Sequence, residues 1–180
     1  MAAAQDPYVV DGKVWKFGDW INGDEHIVRF SDLGDFSGPQ DERKLAGMCF
    51  AALDPTFART VRAGDIVVGG RGFGIPSHPP VPLALRASGI AAVVVESSDS
   101  GFVRKSLNIG LPVLCCRGIT DLVSAGDQLR VDVGGGAITN LTTGGAIRCQ
   151  GFSPAMLAVL HAGGLVEHLR REVDRGALPA

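Results

Sequence analysis

The chain has 180 residues, enough to bury a real hydrophobic core. Lys and Arg total 17 against 19 Asp and Glu, giving a net charge of −2, and no basic run supports a nucleic-acid partner. No apolar stretch approaches membrane-spanning length, and the first residues lack the basic region and long apolar core of a signal peptide.

The cysteines predict a reducing compartment. Cys49, Cys115, Cys116 and Cys149 have apolar neighbours and lack the spacing of metal ligands. This pattern favours reduced thiols in a core, so we expect a cytoplasmic protein without a metal site of its own.

The first third of the chain predicts one strand followed by short helical segments. In chain order the elements are a strand over residues 9–17, a polar turn cluster over 18–25, a mobile loop over 31–39, a helix over 40–53 and a helical turn over 54–61. The Asp11-Gly12 pair predicts a turn inside the strand.

The central third is the part around which the rest is organised. Its elements are strands over residues 65–70, 91–96 and 112–115, helices over 82–88 and 99–107, and a glycine-rich loop over 70–80. The strands are too apolar to leave one face in water, and crossovers of this length imply parallel strands. Ligands of such sheets bind beyond the carboxyl ends of the strands, so the 70–80 loop is the first candidate site.

The last third predicts an antiparallel meander and two helices. The elements are a short helix over residues 118–125, strands over 129–133, 137–141 and 146–149, and helices over 154–162 and 165–173. Glycine-rich turns join the strands. Ser153 predicts an N-cap for the first of the two long helices.

Five segments, taken together, carry a family resemblance. They are residues 12–25, 53–66, 108–113, 140–144 and 156–165. The most specific are the runs Asn-Ile-Gly-Leu-Pro-Val and Asn-Leu-Thr-Thr-Gly. In this order they resemble the small subunit of the aconitase superfamily, of the 3-isopropylmalate dehydratase type, over nearly the whole chain.

The resemblance implies an α/β fold, a swivelling β/β/α domain with a small mixed sheet and flanking helices. Residues 1–180 are expected to form this single domain, with a frayed tail at 174–180. The resemblance also implies a large partner subunit that holds a [4Fe–4S] cluster on three cysteines, while this chain closes over it. The implied reaction is dehydration and rehydration of a small hydroxy acid, as in leucine biosynthesis, by a heterodimer.

The loop departs from the family pattern Asn-Phe-Gly-x-Gly-Ser-Ser-Arg-Glu-His-Ala. Here it is one residue shorter, Ser77 is its only serine, and His78 stands where the second serine or the arginine would be. A later family arginine is also missing from residues 97–102. Histidine cannot form the planar fork with which arginine binds a carboxylate. Two interpretations stay open: a site retuned for a different or smaller acid, or a structural or regulatory paralogue.

The candidate catalytic residues are Ser77, as base, and His78, as hydrogen-bond donor or acid–base group. Taken alone, the residues favour a helix N-cap for Ser77 and a solvated side chain for His78, and the position in the family loop is what raises the catalytic alternative. The candidate substrate-binding residues are Trp20, Arg71, Gly72, Phe73, Gly74 and Ile75. The alternatives are a surface charge for Arg71 and a core or rim position for Trp20. Arg104 and Lys105 either reach the mouth of the cleft or lie on an outer helix face.

Overall fold

Short runs rich in Val, Ile and Leu form the strands of one seven-stranded sheet. The structure is a computed structural model that describes residues 7–35 and 38–177. The strands are β1 (Val9–Lys16), β2 (Ile66–Gly69), β3 (Ala92–Val95), β4 (Val113–Cys115), β5 (Gln128–Asp132), β6 (Ala137–Asn140) and β7 (Ala146–Arg148). Their order across the sheet is β4-β3-β2-β1-β5-β6-β7.

The sheet has a parallel half and an antiparallel half that meet at β1. Strands β1 to β4 run parallel, as the crossovers predict, with Val67 opposite Trp15 on one side and Val93 on the other. Strands β5, β6 and β7 form the predicted antiparallel meander, which joins the parallel half through β1 and β5. The carboxyl ends of β1 to β4 therefore lie along one edge.

Helices cover the sheet. They are α1 (Glu42–Met48), α2 (Phe57–Thr60), α3 (Pro80–Ala87), α4 (Ser100–Asn108), α5 (Ile119–Leu122), α6 (Pro154–Ala162) and α7 (Leu165–Asp174). The N-cap at Ser153 is confirmed, since its hydroxyl accepts from Met156 N–H. No helix in the described ranges is long and apolar enough to cross a bilayer.

The apolar central strands bury both of their faces. Val67 and Val93 point into a cluster with Phe50, Phe57, Phe73 and Phe102. Ile66 and Val94 point the opposite way, into a cluster with residues of the meander and α6. Because successive strand side chains alternate between faces, one apolar run supplies two cores.

The turn predicted at Asp11-Gly12 is wrong, because both residues lie inside β1. Asp11 pairs with Arg130 and Gly12 with Leu129 in β5. A Cβ atom at Gly12 would lie 2.0 Å from the carbonyl oxygen of Gly64. The glycine thus serves a close approach of two backbones, and the local turn signal is overridden by packing.

The segment before β2 is less helical than predicted. Helix α1 begins after its N-cap Asp41 and ends at Met48, since Cys49 and Phe50 leave the helical conformation. The polar turn cluster runs into a π-helical turn at Gly23–Ile27, and a 3-10 turn at Phe30–Asp32 opens the predicted loop. The predicted loop over 31–39 and frayed tail over 174–180 lie partly outside the described residues.

Candidate functional site

The loop between β2 and α3 leaves the sheet at the edge where the parallel strands end. Three of its backbone N–H groups donate to backbone carbonyls of neighbouring segments: Gly70 to Gly18 (3.0 Å), Phe73 to Ser97 (3.0 Å) and Gly74 to Ile21 (2.7 Å). The loop is therefore held between the segment that follows β1 and the segment that follows β3.

Two glycines of the loop lie beneath aromatic rings. Gly72 has φ +65°, and a Cβ atom there would lie 2.3 Å from the ring of Trp20. Gly74 has φ +73°, and its Cβ atom would lie 2.9 Å from the ring of Phe102. Both positions need glycine for conformation and for space. Their contact with a substrate stays a prediction.

The apolar candidates differ in exposure. Trp20 is 70% exposed and Ile75 39% exposed, so both side chains face the exterior beside the loop. Phe73 is fully buried, in ring contact with Phe50 and Phe102. The Phe73 side chain is therefore part of the core, and its N–H and carbonyl groups bond to Ser97 and Ser98.

Ser77 is not the N-cap of the helix that follows it. Helix α3 has Pro79 at the N-cap position and no side-chain cap. Instead, the Nζ atom of Lys105 donates to the carbonyl oxygen of Ser77 at 2.5 Å and lies 3.5 Å from its Oγ. The capping alternative is wrong, and Lys105 does reach the loop from α4.

His78 is anchored by a carboxylate distant in the sequence. Its backbone N–H donates to Oδ1 of Asp24 at 3.0 Å, and its Nδ1 lies 2.8 Å from Oδ2. The Asp24 side chain is only 14% exposed, and its own N–H donates to Asn22 Oδ1. The His78 ring also lies 4.9 Å from the ring of Phe30. Because a carboxylate only accepts, Nδ1 carries the hydrogen in this contact, and Nε2 is the ring atom that can exchange a proton.

Arg71 is engaged within the chain. Its guanidinium forms two hydrogen bonds with Asp19, at 3.1 and 2.8 Å to Oδ2, and its N–H donates to Oδ1 at 2.8 Å. The backbone and side-chain hydrogen bonds from Arg71 hold the pKa of Asp19 below its usual value. This pairing favours a loop-fixing surface charge over a substrate clamp.

A cleft of about 530 Å³ opens beside this ion pair. Its lining residues are Asp19, Arg71, Glu96, Ser97, Arg117, Thr120 and Asp121. The Glu96 carboxylate accepts from the N–H groups of Gly118 and Thr120 and from the Thr120 hydroxyl. Burial acts to raise the pKa of Glu96, but these hydrogen bonds outweigh it and lower the pKa. Glu96 thus ties the end of β3 to the start of α5.

The cysteines do not fit a cluster site. Burial raises the pKa of all four thiols, to about 12 for Cys49 and for Cys116, which disfavours the thiolate that binds metal. No group of three Cys, His, Asp or Glu side chains within residues 7–35 and 38–177 is arranged to hold a metal ion.

Sequence reasoning missed the partners of the two candidate catalytic residues. Asp24 belongs to the family's Asp-rich turn, but nothing local indicates that it meets His78, 54 residues away. For Lys105, the sequence favoured neither of two positions, the mouth of the cleft and the outer face of its helix. Both segments contain charged residues, but composition alone does not define which residues meet.

Comparison with known proteins gives similarity along nearly the full length. The isopropylmalate/citramalate isomerase small subunit of Methanocaldococcus jannaschii is 37% identical over 166 residues, 92% of this chain and 96% of that protein. The methanogen homoaconitase small subunit of Methanothermobacter thermautotrophicus is 39% identical over 169 residues, 93% and 95% of the two chains. No protein-family model matches the chain.

A solved structure agrees with these relatives. The crystal structure of 3-isopropylmalate dehydratase from M. jannaschii superposes with a TM-score of 0.82 at 28% identity, over 94% of this chain and 98% of that one. The mixed sheet with flanking helices is thereby confirmed as the fold.

The fold and the relatives define the class: the small subunit of an aconitase-type hydro-lyase. Within that class, the chain belongs to the family of 3-isopropylmalate dehydratase small subunits. Family membership implies a large-subunit partner.

Proposed function

We propose that this chain closes over the active site of a large subunit and that the pair dehydrates and rehydrates a small hydroxy acid in the cytoplasm. The large subunit would hold a [4Fe–4S] cluster on its own cysteines, since the thiols of this chain do not fit that role. The single seven-stranded sheet supports one swivelling domain as the working unit.

Ser77 and His78 are the residues that would take part in the chemistry. The observation that carries this assignment is that both are fixed by charged side chains from other elements, Lys105 and Asp24. A loop that served only as a connection would not need these anchors. Ser77 Oγ would remove the proton from the substrate carbon. His78 would use Nε2 for hydrogen bonding or proton exchange, with Asp24 fixing the ring.

The substrate would lie along the same loop. The exposed side chains of Trp20 and Ile75 would contact it. The N–H groups of residues 70–74 already donate to other segments of the chain, so they would act by holding the loop in place. Arg71 would act mainly by holding the loop through Asp19. With no arginine at positions 77–80, the site suits an acid different from, or smaller than, 3-isopropylmalate.

The direct test is co-expression with candidate large subunits, followed by an anaerobic hydratase assay. The panel should include 3-isopropylmalate, citramalate and homocitrate, the acids that the names of the relatives suggest. Turnover only in the presence of a large subunit supports the proposal. The isolated chain should contain no iron. Stoichiometric iron and sulfide in it would contradict the proposal that the large subunit holds the cluster.

One observation favours a second function, a non-catalytic or regulatory paralogue. The loop has lost its arginine, and Pro79 and Pro80 fix the backbone direction just after His78. A neighbouring large-subunit gene with three cluster cysteines would favour the enzyme. A large subunit without those cysteines, or a small-subunit gene standing alone, would favour the paralogue.

A further inference from the structure

The ammonium group of Lys105 lies next to the candidate base, Ser77. Its Nζ atom lies 2.5 Å from the Ser77 carbonyl oxygen and 3.5 Å from Oγ. The first contact is a short hydrogen bond to the peptide, and the second places a positive charge next to the hydroxyl. Lys105 thus contacts both the backbone and the functional atom of Ser77.

No carboxylate in the described ranges forms a direct ion pair with Lys105. The ion pairs there do not include Lys105. The acidic residue near it, Asp99, caps α4 by accepting from Phe102 N–H at 2.6 Å. The side chains of Asp99 and Lys105 both lie close to Gly101. A Cβ atom at Gly101 would lie 3.0 Å from Oδ1 of Asp99 and 3.8 Å from Nζ of Lys105. Lys105 is half-buried, and its ammonium group donates a hydrogen bond to the Ser77 carbonyl, so its positive charge lies beside the Ser77 hydroxyl.

The loop also lacks the cation that the family pattern has beside its serine. The arginine is absent from residues 74–83 and from residues 97–102. Lys105 lies on α4, which begins at Ser100, and its side chain brings a positive charge to the loop at Ser77.

We propose that Lys105 is the positioning residue of the candidate base, Ser77. It fixes the Ser77 peptide through the carbonyl oxygen and stabilises negative charge on Oγ. In the step concerned, the Ser77 alkoxide takes the proton from the substrate carbon and becomes a hydroxyl, while the electron pair stays on that carbon. Lys105 remains an ammonium ion throughout. This inference rests on the proposed function.

The test compares Lys105→Ala with Arg104→Ala, the adjacent exposed cation on the same helix, in the assembled enzyme. Loss of a preorganised charge beside a reacting oxygen costs about 10²- to 10³-fold in kcat. We expect that loss for Lys105→Ala, with KM changed less than about threefold, and partial rescue by added methylammonium. Arg104→Ala should stay within about twofold of wild type.

Activity of Lys105→Ala within about threefold of wild type would overturn the inference, as would a loss confined to KM. If Lys105→Ala does not fold, Lys105→Met keeps the length of the side chain without its charge and is judged by the same kcat loss. A similar loss in Arg104→Ala would show a general effect of charge on α4 and would also overturn it.

A second measurement separates this inference from the proposed function. Backbone hydrogen exchange at Ile75, Ser77 and His78 in the isolated chain should be faster in Lys105→Ala and unchanged in Arg104→Ala. If no large subunit gives turnover even with the wild type, the proposed function fails. The exchange result then decides whether Lys105 fixes the loop, and equal exchange in both variants rejects it.

Discussion

Asp24→Asn tests whether the orientation of His78 matters for activity. Asparagine keeps an Oδ1 acceptor for the His78 N–H, at 3.0 Å in the wild type. It replaces the acceptor that lies 2.8 Å from Nδ1 with an amide donor. The ring must then accept at Nδ1 and carry its hydrogen at Nε2, so the substitution reverses the tautomer with little change of shape.

The structure sets the size of both effects. A hydrogen bond to a charged group contributes about 1.5–3 kcal/mol. His78 is 53% exposed, which reduces the expected destabilisation to about 1 kcal/mol, or about 2–4 °C in Tm for a chain of this size. Loss of correctly oriented acid–base participation costs about a hundredfold or more in kcat/KM. Function should therefore fall much more than stability.

The assay is kcat/KM of the assembled hydratase, measured beside Tm by thermal denaturation. The matched control is Glu25→Gln, a neighbouring exposed carboxylate, which should change neither quantity appreciably. Full activity of Asp24→Asn at an unchanged Tm would refute the reasoning, since the orientation of His78 would then be irrelevant to turnover.

Three further changes test other parts of the site. Ser77→Ala should lower kcat by at least about a hundredfold in the assembled enzyme with its fold kept; a loss of only a few-fold would remove Ser77 as the base. His78→Arg alone should not restore 3-isopropylmalate turnover to the level of a complex carrying the whole family loop, because misplacing a clamp by about 1 Å can cost roughly a hundredfold; equal rates in the two complexes would contradict this. Glu96→Gln should lower stability at neutral pH by about 2 kcal/mol. The Glu96 pKa is lowered in the folded state from an ordinary 4.5, so its contribution is present above that value and lost as the pH falls through the lowered one. The Tm difference between wild type and Glu96→Gln should therefore shrink in acid, and a constant difference down to about pH 3 would count against the hydrogen-bonding argument.

Local sequence patterns were sufficient to predict the sheet. Apolar runs of four to six residues, separated by helical crossovers, predict buried parallel strands, and the structure has them in that arrangement. Glycine-rich turns predict the meander equally well. These features depend on hydrophobic periodicity and turn chemistry, which a single sequence displays directly.

Contacts between distant segments were not predictable in the same way. Asp11-Gly12 has the composition of a turn, and only the approach of Gly64 explains a glycine inside β1. Ser77 precedes prolines as an N-cap would, yet α3 begins at Pro80, too far on for a Ser77 cap. The Asp24–His78 contact joins residues 54 apart, so it follows from the tertiary fold and not from spacing.

The position of Trp20 gives the protein a built-in optical reporter. The chain has two tryptophans. Trp15 packs against Phe57 and donates its indole N–H to Asp65 at 2.8 Å, so its surroundings are set by the core. Trp20 lies over Gly72 with most of its ring in solvent. A partner surface that covers Trp20 would remove water from this indole and shift its emission to shorter wavelength, so docking at this part of the loop can be followed in real time without a label.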